Sequence, residues 1–193
     1  MTSTASLTSQ ERYTTGAIWL HWIIAALIAL NLVLGFFHED FERPVRAAMM
    51  SVHKAAGFTI LVLTLARIAW RLGHRPPPFD PVLKTWEVSL ARLIHGLFYV
   101  FLIAMPITGW LVVSTGGRPV TSFFGLFDIA PLPVPRTEDA HELWEEVHAL
   151  LAYTGLALIA LHVAGALKHH FDGHRHLIGR MAPWVRTRYR QRP

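Results

Sequence analysis

Residues 144–171, WEEVHALLAYTGLALIALHVAGALKHHF, decide the fold. Between Val147 and Leu167 this stretch holds no charged side chain. A helix rises about 1.5 Å per residue, so roughly 20 apolar residues cross a bilayer core of about 30 Å. The stretch therefore predicts a membrane-crossing helix. It also carries two histidines, His148 and His162, 14 residues apart. At about 1.5 Å and about 100° per residue, they lie about 21 Å apart along the axis and about 40° short of four full turns. Both rings leave the same face, one near each membrane surface.

Three more apolar stretches follow the same reading. Ile18 to Phe37 and Leu93 to Ser114 are uncharged, and Ala55 to Trp70 contains only Arg67. The last is short for a span unless His53 and Lys54 at one end and Arg67 and Arg71 at the other snorkel to the interfaces. Buried helices of a soluble bundle would show a polar face, and these show none. The first stretch is long for a signal-peptide core and lacks a small-x-small cleavage site. The sequence thus predicts an all-α protein, an integral membrane four-helix bundle. Its helices fall at about 18–37, 53–71, 92–114 and 144–169 of a single transmembrane domain over residues 1–193.

Composition agrees. The 193 residues are 52% hydrophobic and 16% charged, with a mean hydropathy of +0.35; soluble chains carry about 25% charged residues. A net charge of +5 on such a chain does not make a soluble nucleic-acid-binding module. With no cysteine, disulfides, iron–sulfur clusters, thiolate zinc sites, a thiol nucleophile and covalent C-x-x-C-H haem attachment are excluded.

The loops set the orientation. The side with both termini and the 71–92 connection carries 13 Lys and Arg, against 5 on the other side (Arg43, Arg46, Lys54, Arg118, Arg136). The positive-inside rule makes both termini cytoplasmic. The basic tail, 176–193, reads as an anchor on anionic lipid rather than a nucleic-acid contact. Residues 71–81, RLGHRPPPFDP, form a proline-rich turn. Residues 122–135, SFFGLFDIAPLPVP, read as a non-helical segment at the outer interface, and the acidic 138–146 as the outer beginning of the fourth helix.

An ionisable side chain in a span is costly and points to function. Alternating the four spans puts His53 and His148 in an outer layer and His21, His95 and His162 in an inner one. Neutral imidazole is a good iron ligand. Two six-coordinate haems need four histidines, two per layer, and the fourth helix can give one to each. Spacing alone leaves His21 and His95 as alternatives in the inner layer. Small residues accompany the rings: Gly16, Ala17, Ala55, Ala56, Gly57, Gly96, Gly155 and Gly165. His38, His74 and His141 fall outside the spans and read as solvated. His169, His170, His174 and His176 are too loosely spaced to predict a divalent-metal site.

These pieces resemble the bacterial cytochrome b561 family. The matching segments are RYTTGAIWLHW (12–22), SVHKAAGFTILVLTLARIAWR (51–71), ARLIHGLFYVFLIAMPITGW (91–110), FFGLF (123–127) and 144–171, so the likeness runs from about Arg12 to Trp184. The family is similar in turn to the cytochrome b subunits of hydrogenases and formate dehydrogenases. The resemblance implies two haem b, an inner one on His21 and His162 and an outer one on His53 and His148. It implies a quinone site beside the inner haem, for which His95 and His169 are the catalytic candidates, with Arg71, Lys84 and Lys168 nearby. It implies a multi-pass protein of the bacterial inner membrane that passes electrons from a periplasmic one-electron donor, superoxide or a redox protein, to ubiquinone or menaquinone. The alternative is a cytochrome b anchor and relay subunit for a separate dehydrogenase, hydrogenase or soluble cytochrome. The partners implied are quinone, the lipid bilayer and the periplasmic donor, with no nucleic acid.

Overall fold

The computed structural model describes residues 12–117 and 121–185. Its elements are α1 (Thr15–Phe37), a 3-10 turn (His38–Asp40), α2 (Arg43–Gly73), α3 (Thr85–Thr115), β1 (Thr121–Phe123), β2 (Phe127–Ile129), α4 (Glu138–Phe171) and α5 (Arg175–Gly179). The four long helices are each apolar enough to cross a membrane. Large apolar side chains cover their outside; Leu150 is 67% exposed and Val100 66%. Such a surface needs lipid rather than water around it.

The helices run further than the apolar runs that announce them. Pro44, at the start of α2, supplies a fixed helical φ and needs no partner for its missing N–H. At α3, the Glu87 carboxylate accepts from the Lys84 N–H at 2.9 Å. At α4, the Thr137 hydroxyl accepts from the Ala140 N–H at 3.3 Å. These polar first turns extend beyond the hydrocarbon and escape a hydropathy reading. They set His53, His95 and His148 each ten residues inside its helix, where the apolar runs alone placed them at helix starts.

Close backbone packing joins α1 to α2, α2 to α3 and α3 to α4; among the described residues, α4 is not a close backbone neighbour of α1 or α2. Side chains fill that spacing. The buried core is Ile24, Ile60, Ile94, Phe101, Leu102 and Leu158. Gly155 lets the Phe101 ring lie against α4: a Cβ there would overlap the ring. Alanine ordinarily stabilises a helix over glycine by about 0.5–1 kcal/mol, whereas overpacking costs about 1–3 kcal/mol. Gly155→Ala should therefore lower the thermal midpoint. Gly73→Ala, whose Cβ meets nothing within 4 Å, should not.

The described chain ends meet at one end of the bundle. The Tyr13 N–H donates to the Arg180 carbonyl at 3.3 Å, and the Trp22 indole to the Met181 carbonyl at 2.8 Å. His176 pairs with Asp80 at 3.0 Å, tying α5 to the proline-rich turn. Most of the basic tail, 186–193, lies outside the described residues. At the opposite end, 121–129 form a hairpin with Phe123 opposite Phe127. Its turn places Phe124 at φ 49° and Gly125 at φ 78°; two successive positive φ angles match the twist of a tight hairpin.

Candidate functional site

The histidines of the spans meet in two layers. His53 of α2 faces His148 of α4, with ring centres 6.3 Å apart. His21 of α1 faces His162 of α4 at 6.2 Å. His95 of α3 faces the same His162 at 5.8 Å. An imidazole nitrogen lies about 1.1 Å from its ring centre and a metal–nitrogen bond is about 2.0–2.1 Å, so two rings on opposite sides of one ion have centres about 6.3 Å apart. The separations across α1–α4 and α2–α4 match that figure, and they fall where the helix backbones stand apart. The donor set therefore fits haem iron in both layers.

The outer pair is oriented by neighbours. The His53 Nδ1–H donates to the Asn31 carbonyl at 3.1 Å, and the Asn31 side-chain amide returns a bond to the His53 carbonyl at 3.1 Å. The Thr108 hydroxyl donates to the Met105 carbonyl at 2.9 Å, so its oxygen accepts from His148 Nδ1–H at 3.0 Å. Both rings thus keep the proton on Nδ1 and turn a free Nε2 inward, the tautomer a metal ligand needs. Two glycines make room: a Cβ on Gly35 would come within 3.2 Å of His53 Cε1, and one on Gly109 within 3.0 Å of His148 Cε1. Sequence reading missed Gly35, Gly109, Asn31 and Thr108, because their roles arise only when helices are set side by side.

Among the described residues no such acceptor meets the inner rings. His21 Nδ1 instead receives an Arg67 N–H at 3.0 Å. His162 stacks edgewise on Phe98 at 5.5 Å. His169 lies one layer further along α4, its ring 6.5 Å from His174, which is 6.2 Å from His176. Beside them Lys168 bridges Glu87 at 2.8 Å and Asp172 at 2.9 Å. That hydrogen bond holds the Asp172 carboxyl below its ordinary range. The structure thus joins His95 to His162 and gives His169 different company. No group of three metal-ligating side chains occurs among the described residues, so His169, His170, His174 and His176 do not converge on an ion.

Of the three histidines expected in solvent, His74 is exposed and His38 and His141 are half-buried, and each ring makes a hydrogen bond. His38 Nδ1–H donates to the Gly35 carbonyl at 2.9 Å and His74 Nδ1–H to the Trp70 carbonyl at 3.0 Å. Each thereby bonds a carbonyl in the last turn of its helix. His141 Nδ1–H donates to the Val112 carbonyl at 3.1 Å and packs on Gly116, joining α4 to the end of α3.

Comparison with known proteins gives the family. The chain is 28% identical to "Cytochrome b561 homolog 1" of Escherichia coli (strain K12) over 177 residues, covering 90% of this chain and 98% of the relative. It is 29% identical to the "Probable superoxide oxidase CybB" of Yersinia pestis over 173 residues, covering 90% and 97%. It is 27% identical to "Cytochrome b562" of Cereibacter sphaeroides over 175 residues, covering 86% and 91%. The family model for prokaryotic cytochrome b561 matches residues 12–184. With that span, the four apolar helices and histidines spaced for haem iron, the chain belongs to the prokaryotic cytochrome b561 family, whose members imply haem b.

Proposed function

We propose that this chain is a two-haem electron-transfer protein of the bacterial inner membrane, moving electrons from a periplasmic one-electron donor to the quinone pool. The observation that carries this reading is the pair of histidine couples at 6.2 and 6.3 Å, stacked along α4. Haem, when bound, supplies a one-electron carrier in each layer. His53 and His148 would hold the outer group, and His21 and His162 the inner one. Phe101, Leu158 and Ile60 fill the bundle between the layers and keep water out. Quinone reduction consumes two electrons and two protons. His95 and His169 are the groups we assign to proton delivery, since imidazole exchanges protons near neutral pH. We read the end where Tyr13 meets Arg180 as cytoplasmic, from the excess of Lys and Arg there.

Superoxide is the donor suggested by the name of the Yersinia relative. An anionic donor is steered by positive charge. The outer segments carry five Lys and Arg against nine Asp and Glu, a net of −4. That charge favours a basic partner protein, and so supports the second reading, a relay subunit for a separate redox protein. Reducing the purified chain with superoxide, and reoxidising it with a soluble quinone, discriminates between them. Haem reduction by superoxide alone supports the first reading; reduction only with a protein donor supports the second.

The expected cofactor content is two b haems per chain, all extractable by acid–acetone because no cysteine is present to bond them. The pyridine-haemochrome ratio measures it. One haem per chain, or none, overturns the two-haem reading.

A further inference from the structure

Beyond the last turn of α4, three imidazoles form a row that ends on a carboxylate. The stretch His169 to His176 reads HHFDGHRH. Gly173 takes φ 85°, a left-handed turn that glycine enters without strain. It folds the chain back so that the His174 N–H donates to the His169 carbonyl at 2.8 Å. The His169 ring then lies 6.5 Å from His174, and His174 lies 6.2 Å from His176. The His176 Nε2–H donates to Asp80 of the proline-rich turn at 3.0 Å. All three rings and Asp80 are half-buried, so the row passes from the protein surface into the end of the bundle. His170 takes no place in it and packs edgewise on Phe171.

The spacing suits proton transfer. Two imidazoles joined end to end by one N–H···N bond have centres about 5 Å apart, and one bridging water opens that to about 6–8 Å. Both gaps in the row fall in the second range. Imidazole takes a proton on one nitrogen and releases it from the other, so it passes the proton on without leaving its place. The charges around the row favour uptake. Glu87 of α3 and Asp172 of α4 both feel His169, and Asp172 also feels His174. Lys168 is held between these two carboxylates. Arg175 is exposed, Arg180 donates to the Pro78 carbonyl at 2.6 Å, and Arg92 lies over the Phe79 ring at 5.3 Å. Carboxylates beside imidazole favour its protonated form.

We propose that Asp80, His176 and His174 relay protons from bulk water to His169 for quinone reduction. The inference rests on the quinone reading above and names how that site is supplied. One quinone takes up two electrons and two protons to become quinol. Each proton enters at the Asp80–His176 pair and leaves from His169, whose ring is refilled through His174. The test follows reoxidation of the reduced holoprotein by a soluble quinone at pH 6 and pH 8, with haem content and thermal midpoint measured beside it. His174→Gln and His176→Gln keep a polar side chain that does not titrate. Asp80→Asn keeps an oxygen for the Val82 N–H that Asp80 accepts at 3.0 Å. Each variant should keep its haem and reoxidise at least fivefold more slowly at pH 8. At pH 6 the loss should shrink below twofold, because free protons then reach His169 directly. Added imidazole should restore the rate at pH 8. In His169→Ala, adding His176→Gln should slow the reaction no further. Wild-type rates in all three variants at pH 8 overturn the proposal. So does a slowing that is equal at both pH values and that imidazole leaves untouched, which is the mark of a purely structural tie. If one glutamine variant fails to fold, Asp80→Asn and the other decide. A wild-type chain that passes no electrons to quinone overturns the quinone reading and this proposal with it.

Discussion

Alanine at His53 or His148 should halve the haem content of the purified protein, from two b haems per chain to one, and leave the inner low-spin signal intact. The two rings come from different helices, α2 and α4, and face each other at 6.3 Å. Neither has a substitute, since the nearest other histidines in sequence, His141 and His38, have their Nδ1–H committed to the Val112 and Gly35 carbonyls. Losing one of the two rings that would hold the group leaves it on a single histidine and noncovalent contacts. A smaller and graded effect is expected one step outward. Thr108→Val keeps the shape of the side chain but removes the oxygen that accepts from His148 Nδ1. Losing a group that orients a metal ligand typically costs about 10–100-fold in affinity. Thr108→Val should therefore lose the outer haem over a dilution series at which wild type keeps it, and Thr108→Ser should retain it. Pyridine-haemochrome assays and electron paramagnetic resonance of the low-spin signals measure both results. Full retention in His148→Ala would remove this pair from the ligand set.

What the sequence made legible follows from what the membrane demands. A span must be apolar over about 20 residues and its backbone must be satisfied internally. Hydropathy therefore reveals four helices without any knowledge of packing. The same demand makes an intramembrane histidine conspicuous, and the 14-residue interval in α4 follows from helix geometry alone. The helix ends were less legible, because Arg43 to Val52 and Thr85 to Arg92 are helical but mixed in polarity. Their starts depend on caps such as the Glu87 carboxylate, a local signal of about 1 kcal/mol. Least legible were the orienting groups. The Asn31 carbonyl belongs to the backbone and leaves no mark in side-chain identity. Gly35 and Gly109 read as two of 13 glycines until their helices are set against His53 and His148. The hydrogen bonds of His38, His74 and His141 were not legible because a helix-end carbonyl is likewise silent in sequence.

The inner layer puts the assignment to its hardest test, because His162 has two possible partners. His95 stands 5.8 Å from it and His21 6.2 Å. An ion between two rings sets their centres about 6.3 Å apart at metal–nitrogen distances of about 2.0–2.1 Å, so His21 has the better separation and His95 is half an ångström short. Packing supports the same choice. α3 and α4 are close backbone neighbours, whereas α1 and α4 stand apart, which favours a group between α1 and α4. Against His21 stands its contact with Arg67 at 3.0 Å. The expected outcome is that His21→Ala and His162→Ala each lose the inner haem and keep the outer one. His95→Ala should keep both, with unchanged low-spin signals, and should slow reoxidation of the reduced protein by a soluble quinone. His169→Ala should slow that step as well. Each variant needs only a haem count and a stopped-flow trace. If His95→Ala abolishes the inner low-spin signal while His21→Ala preserves it, the pairing is the reverse of the one assigned here. In that case Arg67 is the permanent partner of His21. If His95→Ala and His169→Ala both keep two haems and reoxidise at the wild-type rate, protons reach the quinone by another route.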